Sequence, residues 1–293
     1  MEIPYTFAGV KPAESSKPKV AVLPVAYDST TSYQPGTRFG PQEIILASRF
    51  LEHYDEVLNF EPSRLGIVTL PEVWPDLSSP ESALSEIEGC VLKVLKRGLF
   101  PVILGGEHTI TFGAVKAFRK LMPEISVLIL DAHADLRESY QGTRYNHACV
   151  SRRILEMGIP VTIMGVRSLP SEDLPVLKMS NLKMLWAREL KKKKDWLSAV
   201  SASLTKKIYL SIDLDFFDPA AVPAVGTPEP GGFGWEETNS FLTQLCGKYQ
   251  IIGFDIVELN GSLHHIPSAY FASRLAYRLL GLAYKTSKNV VVY

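Results

Sequence analysis

A chain of 293 residues could hold two average domains, but doubly wound α/β folds often run this long as one, so a single domain over 1–293 is expected. Hydrophobic residues make up 46% and charged residues 21%, near the averages for globular chains, which excludes a disordered protein. Lys plus Arg and Asp plus Glu are both 31, so no net field recruits nucleic acid or an anionic membrane, and neither is expected as a partner.

Met1 to Val10 has neither the charged start nor the continuous apolar stretch of a leader, and no later segment reaches the roughly 18 apolar residues of a membrane span. Short β-branched runs then recur at Val20 to Val25, Leu65 to Leu70, Val102 to Leu104, Val127 to Leu130, Val161 to Val166, Ile208 to Ile212 and Ile251 to Val257. Most are apolar on both faces, as buried strands are. Between them lie segments with helical spacing, the clearest placing Leu84, Ile87, Val91, Val94 and Leu95 behind Ser79 as N-cap and Pro80 in the first turn, with Gly98 closing the helix. Tyr33 to Pro41 and Asp218 to Gly234 read as turn-rich connections. Lys191 to Lys194 reads as a solvated helix face. Strand alternating with helix predicts right-handed crossovers, hence a three-layer α/β/α fold around a mainly parallel, doubly wound sheet.

Cys90, Cys149 and Cys246 are odd in number, far apart and free of any CxxC, which suits small core residues in a reducing, cytoplasmic compartment.

Polar clusters follow four of the apolar strands, at the edge where an open parallel sheet places its ligand crevice. Val102 to Leu104 leads into Gly105, Gly106, Glu107 and His108, and Val127 to Leu130 into Asp131, Ala132, His133, Ala134 and Asp135. Ile208 to Ile212 leads into Asp213, Leu214 and Asp215, and Ile251 to Val257 into Glu258. Carboxylates and imidazoles gathered at one sheet edge cannot all stay buried and ionised without counter-charge, because repulsion and desolvation would cost several kcal/mol. A pair of metal ions supplies it. The i, i+2 spacing of Asp131 with His133, and of Asp213 with Asp215, suits extended backbone with both side chains on one face. Oxygen and nitrogen ligands without sulfur favour two Mn²⁺ over structural Zn²⁺, and leave Fe, Co and Ni open.

At these residues the sequence resembles the ureohydrolase superfamily of arginases and agmatinases, on GGEH at 105–108, DAHAD at 131–135 and SIDLDFFDP at 211–219. GTRFGP at 36–41 is similar to the family's entry loop, and GTPEPGG at 226–232 to the agmatinase form of a later loop. The resemblance spans nearly the whole chain. It implies one ion held by His108, Asp131, Asp135 and Asp213 and a second by Asp131, His133, Asp213 and Asp215, with Asp131 and Asp213 bridging. It further implies that Glu258 pairs with a guanidinium, that His147 shuttles protons at the site mouth, and that Asp135 helps stabilise the tetrahedral intermediate. His53, His264 and His265 match no ligand position.

The implied reaction is hydrolysis of a small guanidino substrate to urea and an amine. Arginases place Asn two residues after the last Asp of the DAHAD-type motif, whereas this chain has Arg137. Tyr140, Gln141 and Gly142, with the Glu229 to Gly232 loop end, are closer to agmatinases, so agmatine leads, giving putrescine and urea in polyamine (spermidine) biosynthesis. N1-aminopropylagmatine, guanidinobutyrate, arginine and formiminoglutamate stay open. A catalytically silent metal-binding relative acting as a regulatory subunit is the non-enzyme alternative, and a one-zinc deacetylase or a two-metal phosphoesterase the enzymatic rivals. The resemblance also implies a homo-oligomer, a trimer or hexamer.

Overall fold

The computed structural model describes residues 4–11 and 17–287, with side chains as far as Tyr284. Met1 to Ile3, part of the segment read for a leader, lie outside the described residues. Eight strands occur in chain order: β1 (Val20–Val25), β2 (Ile67–Thr69), β3 (Phe100–Gly105), β4 (Ser126–Leu130), β5 (Val161–Val166), β6 (Leu182–Trp186), β7 (Lys207–Asp213) and β8 (Gln250–Val257). They form one sheet, parallel throughout, in the order β2-β1-β3-β8-β7-β4-β5-β6.

Strand alternation divides the core in two. Leu128 and Leu130 of β4 and Ile208, Leu210 and Ile212 of β7 face one side, with α1 (Gly40–Ser48), α7 (Trp235–Lys248) and α8 (Ile266–Ser287). Val127, Ile129 and Tyr209 face the other, with α2 (Pro80–Lys96), α3 (Ile110–Leu121) and α4 (Val150–Glu156). The expected three layers are therefore present, and a parallel sheet covered on both faces explains why its strands read as continuous apolar runs.

Helix α2 starts as its sequence predicts, the Ser79 hydroxyl accepting from the Ser82 amide at 3.1 Å, and Gly98 follows its end at φ +67. Two expectations need correction. Strand β6 was not among the predicted strands: it lies at the sheet edge with Lys183 exposed, so its sequence lacks the apolar run of its neighbours. Lys191 to Lys194 is exposed, but it is a turn and not a helix face, sitting between α5 (Ala187–Leu190) and α6 (Trp196–Val200). Asp195 caps α6 by accepting from the Ser198 amide at 3.0 Å, which starts a new helix where four like charges would have repelled one another along one surface.

No helix among the described residues is long and apolar enough to cross a membrane. Cys149 and Cys246 are buried and Cys90 is half-buried, all as free thiols.

Candidate metal centre

The four strands that carry the polar clusters are contiguous in the sheet, as β3-β8-β7-β4. Their carboxyl ends thus bring His108, Glu258, Asp213, Asp215, His133 and Asp135 to one crevice, a cavity of about 380 Å³ that His147, Arg137 and Tyr140 also line, with Asp131 buried against the same side chains. After β3 the chain runs against the end of β1, where the Glu107 amide donates to the Tyr27 carbonyl at 2.8 Å. A Cβ on Gly106 would stand 1.9 Å from that carbonyl oxygen, so only glycine fits. Gly106→Ala is expected to destabilise the fold by about 3 kcal/mol or more and to displace His108, readable as a lower urea midpoint with weakened metal binding. An unchanged midpoint would mean that the loop re-packs freely.

Both i, i+2 pairs are built by one device. Asp131 Oδ1 accepts from the His133 amide at 2.6 Å, and Asp213 Oδ1 from the Asp215 amide at 2.9 Å. The expected extended backbone is therefore corrected for one row only: the Asp213 carboxylate turns the chain into the 3-10 helix Leu214–Phe216, whereas His133 stays bridged in parallel to Ser168 beyond β4. Asp215 Oδ1 then accepts from the Ala132 amide at 3.0 Å, tying the two rows together.

The ligand atoms converge in two groups that share Asp131. His108 Nδ1 lies 3.1 Å from Asp131 Oδ2, 3.2 Å from Asp135 Oδ2 and 3.2 Å from Asp213 Oδ2. His133 Nδ1 lies 2.9 Å from Asp215 Oδ2 and 3.7 Å from Asp131 Oδ1. Both His108–Asp131–Asp213 and Asp131–His133–Asp215 have the spacing to hold an ion. His108 Nδ1 and Asp131 Oδ2 are buried without a hydrogen-bond partner, so lone pairs that protein groups leave unsatisfied point at a common centre. That donor set, of oxygen and imidazole nitrogen, fits hard or borderline divalent ions.

Protons stand in for cations here. Burial and the charges of Asp215 and Asp135 push Asp131 up to about 7, and burial with Asp215 and Asp131 holds Asp213 well above the ordinary carboxylate range. Burial opposes the charging of His108 and His133, but the carboxylates around each ring hold both well above the imidazole range. Burial also works to raise Asp215, yet the His133 ring and the Ala132 amide bring it down to about 2. Raised groups keep protons in the folded state that the unfolded chain has released, so their stabilisation is lost as pH rises. The thermal midpoint of metal-stripped protein should therefore fall as pH climbs from about 4, where unfolded carboxylates titrate, through about 7, the value for Asp131. Added metal should restore it, and a midpoint that rises over this window would contradict the assignment. Asp215 acts oppositely, its contribution lost only as pH falls toward about 2.

Glu258 stands at φ +68 and Asp135 at φ +52, conformations that side-chain-bearing residues rarely adopt and that stored strain at functional sites accounts for. Glu258 Oε1 accepts from the His108 amide at 2.6 Å, and burial followed by the charge of Glu107 holds this carboxyl well above its usual range. His147 lies at the cavity wall, with Nε2 3.2 Å from Ser32 Oγ and its amide donating to Thr30 Oγ1 at 3.1 Å. Burial lowers its pKa. Thr30 is itself held by Glu107, whose carboxylate accepts from the Thr30 amide at 2.9 Å and hydroxyl at 2.6 Å. The other histidines serve the fold: His53 Nε2 lies 2.9 Å from the Ala8 carbonyl, His264 is exposed beside Glu43, and His265 Nδ1 accepts from the Ser268 amide at the start of α8.

Sequence reasoning missed Asp173. It lines the same cavity, is 4% exposed, and its Oδ2 is buried without a hydrogen-bond partner. Burial raises it to about 6. Arg137 is nearby but engaged, paired with Glu172 and stacked 4.6 Å from the Tyr140 ring.

The sequence profile of the arginase family matches residues 18–281. The chain belongs to the arginase family. Among its relatives, the N(1)-aminopropylagmatine ureohydrolase of Synechocystis sp. is 38% identical over 269 residues, covering 89% of this chain and 88% of that protein. The agmatinase of Pyrococcus horikoshii is also 38% identical, covering 89% and 91%. The crystal structure of the agmatine ureohydrolase of Thermoplasma volcanium superposes with a TM-score of 0.86 at 30% identity, covering 96% of this chain and 97% of that one. This family member is accordingly a ureohydrolase with the arginase fold, and the resemblance drawn from GGEH, DAHAD and SIDLDFFDP holds over most of its length.

Proposed function

We propose that the protein hydrolyses an amine-ended guanidino compound, agmatine foremost, to urea and a diamine, using two Mn²⁺ held by His108, Asp131, His133, Asp135, Asp213 and Asp215. The observation that carries this reading is one cavity lined by two buried carboxylates besides the donor groups, Glu258 and Asp173. Glu258 lies beside the two donor groups, and Asp173 is unpartnered in the wall. Glu258, raised by burial, gains most from a ligand that brings its own delocalised cation, because a guanidinium fork matches a carboxylate with two parallel hydrogen bonds. Asp173 offers the same compensation to an ammonium. Arg137 already has its counter-charge in Glu172, which argues against a carboxylate-ended substrate such as arginine or guanidinobutyrate.

Two ions held there would supply positive charge against the buried carboxylates and would lower the pKa of a bound water toward neutrality. Glu258 orients the guanidino carbon beneath the ligand cluster, and Asp135 accepts hydrogen bonds from the amino groups of the tetrahedral intermediate. His147, lowered by burial and so neutral near pH 7, can take a proton and return it to the leaving amine, with Ser32 Oγ linking Nε2 to solvent. The second reading, N1-aminopropylagmatine, draws support from the Synechocystis relative's activity by name. Either substrate places the enzyme in polyamine supply.

The donor set supports Mn²⁺, since oxygen and imidazole ligands without thiolate suit it better than they suit a structural zinc. The test is Mn²⁺ titration of metal-stripped protein with urea release followed in parallel. Two ions per chain, with activity tracking the second, support the assignment. Full activity at one ion per chain overturns it. A homo-oligomer in the cytoplasm completes the proposal, the second part supported by three free thiols. Light scattering of the purified protein reads the first part, and a monomer would contradict it.

A further inference from the structure

We propose that Asp255, acting through Ser211, is the positioning residue for His108, holding the ring proton on Nε2 so that Nδ1 presents its lone pair to a cation. The proposal rests on the reading of His108 as a metal ligand. The two ring nitrogens of His108 face different surroundings. Nδ1 meets the carboxylates of Asp131, Asp135 and Asp213, whereas Nε2 lies 3.0 Å from Ser211 Oγ. A ring that gives Nδ1 to a metal must carry its proton on Nε2, and that proton needs an acceptor.

Ser211 is made an acceptor by what lies behind it. Its hydroxyl has one proton, and Oγ stands 2.5 Å from Asp255 Oδ1. Ser211 and Asp255 are register partners on β7 and β8, so the sheet itself sets this contact. Asp255 Oδ2 receives two further hydroxyls, Tyr209 at 2.6 Å and Thr111 Oγ1 at 2.8 Å. Thr111 Oγ1 is farther, at 3.3 Å, from Ser211 Oγ, so its proton goes to the carboxylate. Three hydroxyl donors fill three of the roughly four lone-pair sites of this carboxylate, which favours its ionised, accepting form. With its own proton committed to Asp255, Ser211 can only accept from Nε2. The polarity of the whole row is fixed: Asp255 accepts from Ser211, and Ser211 accepts from His108.

Every member is fully or almost fully buried, so water cannot replace a missing link. Polar groups in a dry core are costly unless each is satisfied, and here the His108 Nε2, Ser211 and Asp255 side-chain atoms of the row all have partners. Ser211 lies two residues before Asp213 on β7, on the same face of the strand, so the strand that delivers a ligand also delivers the support for a ligand from β3.

The test uses Mn²⁺ binding to metal-stripped protein, and the Nε2–H resonance of ¹⁵N-histidine-labelled protein loaded with diamagnetic Zn²⁺. Ser211→Ala and Asp255→Asn are expected to weaken Mn²⁺ binding by about 10- to 100-fold, the usual effect of losing an outer partner of a ligating histidine. Thr111→Val, which removes a hydroxyl from the same core but leaves the row intact, is expected to stay within about 3-fold of the unmodified protein, well below that range. In the unmodified Zn²⁺-loaded protein the His108 Nε2–H should be a low-field, slowly exchanging signal, and Ser211→Ala should move it upfield. Affinities of Ser211→Ala and Asp255→Asn no weaker than that of Thr111→Val would overturn the proposal. If Ser211→Ala does not fold, a fast-exchanging Nε2–H in the unmodified protein would also overturn it. His108→Asn separates the two readings: unchanged Mn²⁺ affinity there removes His108 from the metal site, whereas lost affinity beside a normal Ser211→Ala removes only the relay.

Discussion

Asp131→Asn is expected to lower kcat for urea release by about 10³-fold or more, a loss of roughly 4 kcal/mol of transition-state stabilisation. Asp131 is the residue common to both donor groups, with Oδ2 directed to His108 and Oδ1 to His133 and its amide. An amide in its place keeps the volume but removes one negative charge from the residue common to the two donor groups. It also confronts either the His108 ring or the His133 amide with an N–H donor where an acceptor stood. Metal analysis should accordingly find fewer than two ions per chain in the variant. Near-normal turnover with both ions retained would refute Asp131 as the shared ligand. Asp213→Asn should be similarly severe, since Asp213 Oδ1 builds the turn that presents Asp215 while Oδ2 faces His108.

Asp173→Asn is expected to reduce kcat/KM for agmatine by about 10- to 100-fold, the range for a hydrogen bond to a charged group, and to leave guanidinobutyrate unchanged or improved. The difference between the two substrates carries the argument. In the proposed binding mode both would place a guanidinium against Glu258, but only agmatine would send a cation toward the wall where Asp173 Oδ2 is buried without a hydrogen-bond partner. Loss of the same factor on both substrates would make Asp173 a structural residue of the loop after β5. The unmodified carboxyl, raised to about 6 by burial, should also lend the KM for agmatine a rise as pH falls through that value, because a neutral Asp173 no longer attracts the ammonium. The variant should lack this limb.

Much of this site could be read before any coordinates. Apolar runs ending in Asp, His and Glu mark strand ends at a sheet crevice, because a parallel sheet buries both its faces and leaves only its carboxyl edge for polar chemistry. Of the ligand residues named from GGEH, DAHAD and SIDLDFFDP, His108, His133, Asp135, Asp213 and Asp215 line that crevice, and Asp131 is grouped with four of them. That β3, β8, β7 and β4 are neighbours could not be read in the same way, since crossovers can place consecutive strands at several positions in a sheet. The i, i+2 rows suggested extended chain, and His133 is indeed bridged to Ser168, yet the Asp213 carboxylate, accepting from the Asp215 amide, bends the other row into a 3-10 turn. Side-chain bonding to nearby backbone competes with strand geometry wherever Asp ends a strand.

Asp255 and Ser211 left a faint trace, a polar residue within an apolar strand, but their pairing depends on the register between β7 and β8, which spans about forty residues of intervening chain. Asp173 left none. It lies in a short 3-10 helix, Ser171–Lys178, that carries Pro175 inside it and so does not read as helical, and its importance comes from burial in a wall shared with Arg137 and Tyr140, residues far from it in the chain. Edge strand β6 was lost for the opposite reason: with one side exposed, its pattern is too mixed to stand out.

The most direct test is urea release by Mn²⁺-loaded protein on agmatine, N1-aminopropylagmatine, guanidinobutyrate and arginine in parallel, ranked by kcat/KM, with formamide release from formiminoglutamate as a fifth channel. The two amine-ended substrates are expected to lead the carboxylate-ended ones by at least about 10-fold, the discrimination expected of one buried carboxylate facing an ammonium. A lead for guanidinobutyrate or arginine would contradict the account and move recognition of the far end from Asp173 to Arg137.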